Sequence, residues 1–164
     1  MYSLKSESIV LSPSVQSFLF DLVDRIDFDF VVTSGTRSPQ QQAEAMFKKI
    51  ELGDNLIAIY KDDVFAQKII DAYPSLSTAT KIIEEYAKSG GGSTHLRGLG
   101  VDIRTRNLTQ EQIQKIVTVS KELGAKPLVE TTPPHIHISV PKKKQSNSIL
   151  LVLIAPLLFL MVKR

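Results

Sequence analysis

Apolar residues recur at the spacing of an amphipathic helix in two long stretches of the chain. The first begins after Ser12, a candidate N-cap, and repeats apolar residues at i, i+3, i+4 and i+7 from Val15. The second begins after Ser38, which is followed by a proline and by Gln41, the residue that would complete a capping box. We expect two core-facing helices here, the second ending before Gly53.

Three further helices are expected downstream. Asp62 can cap one of them, and Ser77 or Thr78 can cap the next. Thr109 and Gln112 form a second capping box ahead of another amphipathic stretch. The chain thus has helical patterns both before and after its glycine-rich centre.

Four short segments have the composition and length of β-strands. They are residues 28–33, 99–103, 126–130 and 135–140, the last two joined by a tight turn over 131–134. Mixed with the predicted helices, they indicate an α+β fold in which a small antiparallel sheet is flanked by helices. The chain length fits one such domain over residues 1–140.

The composition changes after residue 140. Residues 141–148 form a basic polar linker, and residues 149–162 form an uncharged apolar segment that precedes Lys163-Arg164. As a helix, this segment would be about 21 Å long, which is shorter than the roughly 30 Å hydrocarbon core of a bilayer. Flanking Lys and Arg side chains that snorkel narrow the gap. We expect a C-terminal membrane anchor, and a buried or peripheral segment is the alternative.

Charge and cysteine content exclude several kinds of protein. The chain has no cysteine, so disulfides and thiolate metal sites are ruled out. Its formal charge of +3 comes from the C-terminal residues, because residues 1–140 hold 15 basic against 17 acidic residues, a balance of −2. No nucleic-acid partner is indicated. The N-terminus lacks a basic region followed by an apolar run, so no Sec-type signal peptide is expected.

Residues 89–93, Ser-Gly-Gly-Gly-Ser, separate the helical region from the third predicted strand. Ordering such a segment costs backbone entropy. It therefore forms a flexible rim, lies where the backbone comes close to another group, or is a plain surface linker.

All three histidines lie in two short motifs. His95 precedes Asp102 by seven residues across a glycine-containing turn. His135 and His137 alternate on one predicted strand, which directs both imidazoles to the same face. Two imidazole nitrogens and one carboxylate oxygen with an open fourth position make a zinc shell of the catalytic type, whereas a structural zinc usually has four protein ligands. These residues predict a zinc hydrolase.

The two motifs resemble those of the zinc peptidase family that unites lysostaphin-type enzymes, D-Ala-D-Ala carboxypeptidases and dipeptidases, and hedgehog signalling domains. The family pattern Ser-x-His-x-x-Gly-x-Ala-x-Asp is matched by Ser93, His95, Gly98 and Asp102, with Gly100 in place of the alanine. The resemblance covers roughly residues 28–140, apart from the helices between 54 and 89.

Two more segments carry the resemblance. Residues 34–38 with Gln42 are similar to the Ser-Gly-Tyr-Arg-Ser-x-x-x-Gln of the carboxypeptidase branch, with threonine replacing tyrosine. Residues 130–140 resemble the hedgehog segment that places a Glu ahead of His-x-His-x-Ser-Val, although one extra residue follows Glu130 here. The carboxypeptidase spacing, with Glu three residues before the ligand, is absent.

The resemblance implies a role for each residue of these motifs. His95, Asp102 and His137 would bind Zn²⁺, with His135 beside the water or substrate. Glu130 would be the general base, and Arg37 with His135 would stabilise the oxyanion. Ser93 and Gln42 would contact the substrate.

The implied substrate is a stem or cross-bridge peptide of bacterial peptidoglycan, cut by an endopeptidase or a carboxypeptidase. The terminal apolar segment and the missing signal peptide suggest a bacteriophage lytic or virion-associated enzyme at a virion membrane or host cell envelope. One alternative is a hedgehog-like module that binds metal without hydrolysis, which the shifted Glu130 favours. Another is a membrane-anchored interaction protein whose histidines bind no metal.

Overall fold

A five-stranded mixed sheet forms the centre of the fold. The computed structural model describes residues 1–60 and 62–142. The strands are β1 (Tyr2–Leu4), β2 (Phe30–Ser34), β3 (Gly100–Arg104), β4 (Lys126–Thr131) and β5 (Pro134–Ser139). Their order in the sheet is β1-β2-β3-β5-β4. The predicted α+β class is confirmed.

The prediction of an antiparallel sheet is wrong at one edge. β2, β3, β5 and β4 pair antiparallel, whereas β1 pairs parallel to β2. No strand was predicted at the N-terminus, because three residues are too few to show an alternating pattern. Tyr2 nevertheless stacks on Phe30 of β2, with the ring centroids 5.9 Å apart.

Six helices are described, and both predicted capping boxes are present. They are α1 (Pro13–Val23), α2 (Pro39–Glu51), α3 (Leu56–Ile59), α4 (Asp63–Ala72), α5 (Leu76–Lys88) and α6 (Gln110–Glu122). Ser38 caps α2 with Gln41, and Thr109 caps α6 with Gln112. The cap predicted for α5 is wrong, because Ser75 and not Ser77 or Thr78 caps the helix. The one-turn helix α3 was not predicted.

The main hydrophobic core lies on one face of the sheet. Alternation directs Val101 and Ile103 of β3 and Ile136 and Ile138 of β5 into it, and all four are fully buried. α1 and α6 cover this face with their apolar stripes. The residues between them on β3 and β5, including Asp102, therefore point to the opposite face.

Helices α2, α3, α4 and α5 form a second hydrophobic cluster. Polar contacts join it to the opposite face of the sheet, which we call the site face. Lys49 of α2 lies 3.6 Å from Glu130 of β4, and Gln42 of α2 accepts a hydrogen bond from Ser93. The helical cluster thus lies beside the site face and not over the main core.

The linker over 141–148 and the apolar segment over 149–162 fall almost entirely outside the described residues. Within residues 1–60 and 62–142, no helix is both long and apolar enough to cross a membrane.

Candidate metal centre

Three separate parts of the chain bring His95, Asp102 and His137 together. Asp102 and His137 are direct partners across β3 and β5, so their side chains leave the same face of the sheet. His95 lies in the loop before β3, and this loop is tied to the end of β2: Arg37 N–H donates to the His95 carbonyl at 3.2 Å. The sheet register and this loop therefore set the positions of the three side chains.

The three inward-facing atoms lie close to one another. Asp102 Oδ1 is 2.9 Å from His137 Nδ1 and 3.2 Å from His95 Nε2, and the two nitrogens are 3.1 Å apart. Ligand atoms that each lie about 2.05 Å from a tetrahedral zinc ion are separated by roughly 3.3 Å. This group could hold a metal ion, and the distances among its three atoms are close to those around a tetrahedral zinc ion.

The outer nitrogen of each imidazole has a partner of its own. His95 Nδ1–H donates to the Gly35 carbonyl at 2.6 Å. His137 Nε2 lies 3.1 Å from Thr94 Oγ1 and 3.3 Å from Ser139 Oγ, which can both accept its proton. These partners leave lone pairs on the two inward nitrogens. Three lone pairs at this distance repel one another, so a proton or a cation must lie among them.

Arg37 holds the other oxygen of the carboxylate. Its Nη2 donates to Asp102 Oδ2 at 3.1 Å, and its Nε and Nη2 donate to Ser34 Oγ. Burial raises the pKa of Asp102, but it is outweighed by the proton that His137 or His95 donates to the carboxylate when no metal is bound, and by the charge of Arg37. The pKa of Asp102 is therefore well below its usual value, and the carboxylate stays ionised as a metal ligand must.

The cluster is most exposed beside the strand histidines, and we call this its open side. The side chains of His95 and Asp102 are 5% and 8% exposed, whereas that of His137 is 20% exposed. His135, on the same strand and face as His137, is 14% exposed. A substrate or a fourth ligand would therefore approach from the side of the two strand histidines.

His135 lies between the cluster and Glu130. Its Nε2 is 3.8 Å from Asp102 Oδ1 and 3.8 Å from Glu130 Oε2, and its Nδ1–H donates to the Pro133 carbonyl at 2.7 Å. Nε2 is thus the ring atom available for proton exchange. The extra residue in the turn does not remove Glu130 from the site face, because Glu130 and His135 are direct partners in the β4–β5 pair.

Gln42 and Ser93 support the site from the helical side. Gln42 Oε1 accepts from Ser93 Oγ at 3.0 Å and from Arg37 Nη1 at 3.5 Å, and its Nε2 donates to Tyr60 at 3.1 Å. Gln42 is 2% exposed, which leaves little of its side chain for a substrate. Substrate contact stays a prediction for the part-exposed Ser93.

Sequence reasoning missed several residues of this network. Ser139 lies two residues after His137, so strand alternation would have placed it on the site face. Lys49 and Tyr60 carried no such signal, because both lie in segments far from the histidine motifs. Thr94 directly precedes His95, but no local pattern indicated its contact with His137. Burial raises the pKa of Tyr60, and the nearby charge of Arg37 lowers it less.

The glycine-rich segment makes a close backbone contact, which selects among the three explanations of its composition. A Cβ atom on Gly91 would lie 2.5 Å from the ring of Tyr86. A side chain at this position would require the Tyr86 ring to move, so the composition fits a backbone that comes close to another group.

Comparison with protein-family models, curated proteins and solved structures finds no match to this chain. The resemblance to zinc peptidases remains a prediction based on motifs.

Proposed function

We propose that this protein is a zinc-dependent peptidase that hydrolyses peptide bonds in bacterial peptidoglycan. The observation that carries the proposal is the convergence of three ligand atoms within 3.2 Å of one another, with the outer nitrogen of each ligating imidazole already partnered. Three protein ligands and one open side are the arrangement of catalytic zinc sites. The metal's identity as zinc and the hydrolytic activity are both part of the proposal.

Bound Zn²⁺ would supply Lewis acidity, polarising a carbonyl oxygen and lowering the pKa of water toward about 7. His135 and Glu130 then handle protons on the open side of the site. Their 3.8 Å contact lets them act as a pair: Glu130 receives the proton of the attacking water and returns it to the leaving amine. His135 Nε2 relays that proton, because it lies between Glu130 and the ligand cluster.

Arg37 has two functions in this proposal. It fixes Asp102 through Oδ2, which directs Oδ1 toward the metal. Its side chain is 24% exposed, and Nη1 has only the long contact with Gln42, so N–H groups remain to donate to a developing oxyanion. Protonated His135 would add positive charge on the same side.

The substrate class follows from the motif resemblance. Peptidoglycan peptides are the substrates that the matched motifs imply. Membrane attachment through residues 149–162 and a phage lytic or virion setting belong to the same proposal.

A metal-binding module without hydrolysis is the second candidate. One contact favours it: Lys49 Nζ lies 3.6 Å from Glu130 Oε2, so the proposed base is engaged in an ion pair with a side chain from α2. In this case zinc would stabilise a binding surface, as in the hedgehog-like alternative.

The deciding experiment measures the release of new amino groups from purified peptidoglycan by the full chain, with zinc and with chelator. We expect zinc-dependent release that Glu130→Gln reduces by at least about a hundredfold while its zinc content is unchanged. Glu111→Gln, on the exposed side of α6, is the matched control and should keep full activity. A folded, zinc-loaded protein that releases nothing from several peptidoglycan types would support the binding module instead.

A further inference from the structure

Arg104 is a charged residue of the site face that the proposed chemistry does not use. It ends β3, two residues after Asp102, and is the direct partner of His135 on β5. Because partners across an antiparallel pair project to the same face, Arg104 and His135 both leave the site face. The site face therefore carries two adjacent rows of side chains. The Asp102 row also holds His137, and the Arg104 row also holds His135.

The guanidinium of Arg104 has no hydrogen bond or ion pair with any residue of 1–60 or 62–142. Two other cations that contact residues of the site are neutralised: Arg37 pairs with Asp102, and Lys49 pairs with Glu130. Arg104 is only partly buried, so its charge is accessible from the open side of the site. This part-exposed cation is suited to an anionic group brought by the substrate.

The spacing of the rows indicates where that anion would lie. Two residues along β3 cover about 6.8 Å, and an extended peptide advances roughly 3.3–3.6 Å per residue. A peptide whose scissile carbonyl lies at the Asp102 row would reach the Arg104 row one or two residues later, given the length of the arginine side chain. The C-terminal carboxylate of a short leaving group would lie at this distance.

We propose that Arg104 binds the C-terminal carboxylate of the substrate, one or two residues beyond the scissile bond. This inference rests on the proposed peptidase function and gives it a specificity: removal of short C-terminal fragments in preference to cutting within long chains. Arginine suits the task because its planar fork can donate two parallel hydrogen bonds to one carboxylate.

A binding experiment tests the subsite without requiring turnover. The probes are diacetyl-L-Lys-D-Ala-D-Ala with a free C-terminal carboxylate and the same peptide with a C-terminal amide, titrated calorimetrically into the zinc-loaded full chain carrying Glu130→Gln. Adding Arg104→Gln should weaken binding of the free acid by roughly 10–100-fold and leave binding of the amide unchanged. Arg104→Lys should restore part of the affinity.

Arg106→Gln is the matched control, since it removes the same charge from an exposed position just beyond β3. It should leave binding of both peptides unchanged. Equal weakening of acid and amide by Arg104→Gln would overturn the inference, and so would no weakening of either peptide or no binding of the free acid at all.

Hydrolysis of the same two peptides by the unsubstituted chain separates this inference from the proposed function. We expect faster cleavage of the free acid, with the effect of Arg104→Gln mainly on KM. Carboxylate-dependent binding without any cleavage would overturn the peptidase and keep the subsite. Equal cleavage of acid and amide would keep the peptidase and overturn the subsite.

Discussion

Each ligand of the proposed metal has one atom for the ion and another held by a neighbouring group. The Gly35 carbonyl holds His95, the hydroxyls of Thr94 and Ser139 lie against His137, and Arg37 holds Asp102. Such outer contacts set the tautomer and the direction of a ligand. The site therefore depends on side chains that would never touch the metal.

The hydroxyls of Thr94 and Ser139 allow the role of these outer contacts to be tested at His137. Thr94→Val combined with Ser139→Ala removes both acceptors of Nε2–H, so we expect zinc affinity to fall by roughly 10–100-fold. Competition with a chromophoric chelator measures this change. Either single substitution should reduce zinc affinity less, because one hydroxyl remains. An unaltered zinc affinity in the double variant would show that these hydroxyls do not determine the tautomer of His137.

Gly100 offers a second test, because it is the one residue that departs from the Ser-x-His-x-x-Gly-x-Ala-x-Asp pattern. A Cβ there would lie 2.8 Å from the backbone nitrogen of His95 and from Thr94 Oγ1. Gly100→Ala should therefore displace the His95 loop and lower the free energy of unfolding by about 1–3 kcal/mol. Zinc affinity should fall as well. Chemical denaturation and zinc titration measure the two effects. A variant that matches the unsubstituted protein in both stability and zinc affinity would contradict this packing.

At the scale of elements, helix α2 positions the site and α6 does not. α2 carries Gln42 and Lys49, which contact Arg37, Ser93 and Glu130. α6 begins with the same kind of capping box but packs on the main core. Substitutions at the N-caps of the two helices can therefore be compared, since only α2 contacts the site.

Ser38→Ala and Thr109→Ala should each lower the free energy of unfolding by about 1 kcal/mol, because each removes an N-cap hydrogen bond. Only Ser38→Ala should also reduce peptidase activity, since it loosens the start of the helix that supports Arg37. Denaturation curves and amino-group release on the same two samples measure both effects. Equal activity losses would show that α2 has no special part in positioning the site.

The same elements show how far the sequence alone could lead. Capping boxes and apolar spacing are local, and they predicted α2 and α6 with their caps. Alternation on β5 placed both strand histidines on one face. The cap of α5 was ambiguous, because three hydroxyl residues lie close together at its start. Contacts such as Lys49 with Glu130 join elements far apart in the chain, and no local pattern encodes them.

In the molecule as a whole, the proposed metal would join two strands of the sheet to the loop that follows the helical cluster. The main core lies on one face, the helical cluster lies beside the other, and the ligands come from β3, β5 and the loop that follows α5. A metal bound by the folded state alone stabilises it by mass action.

Zinc at about 100 times its dissociation constant should therefore raise the free energy of unfolding by about 2.7 kcal/mol. Thermal or chemical unfolding with and without zinc measures this, and a chelator should reverse it. His137→Ala should abolish the zinc effect. A stabilisation of the same size in His137→Ala would show that zinc binds elsewhere.

The zinc content of the purified chain and of its three histidine variants after dialysis tests the proposed metal centre without requiring turnover. We expect about one zinc ion per chain, lost in His95→Ala and His137→Ala and retained in His135→Ala. His135 is the sharpest control, because it shares the strand and the face of His137 and lies within 3.8 Å of Asp102. If the chain binds no stoichiometric zinc, or loses it equally with His135→Ala and His137→Ala, then His95, Asp102 and His137 are not the ligands of a zinc site.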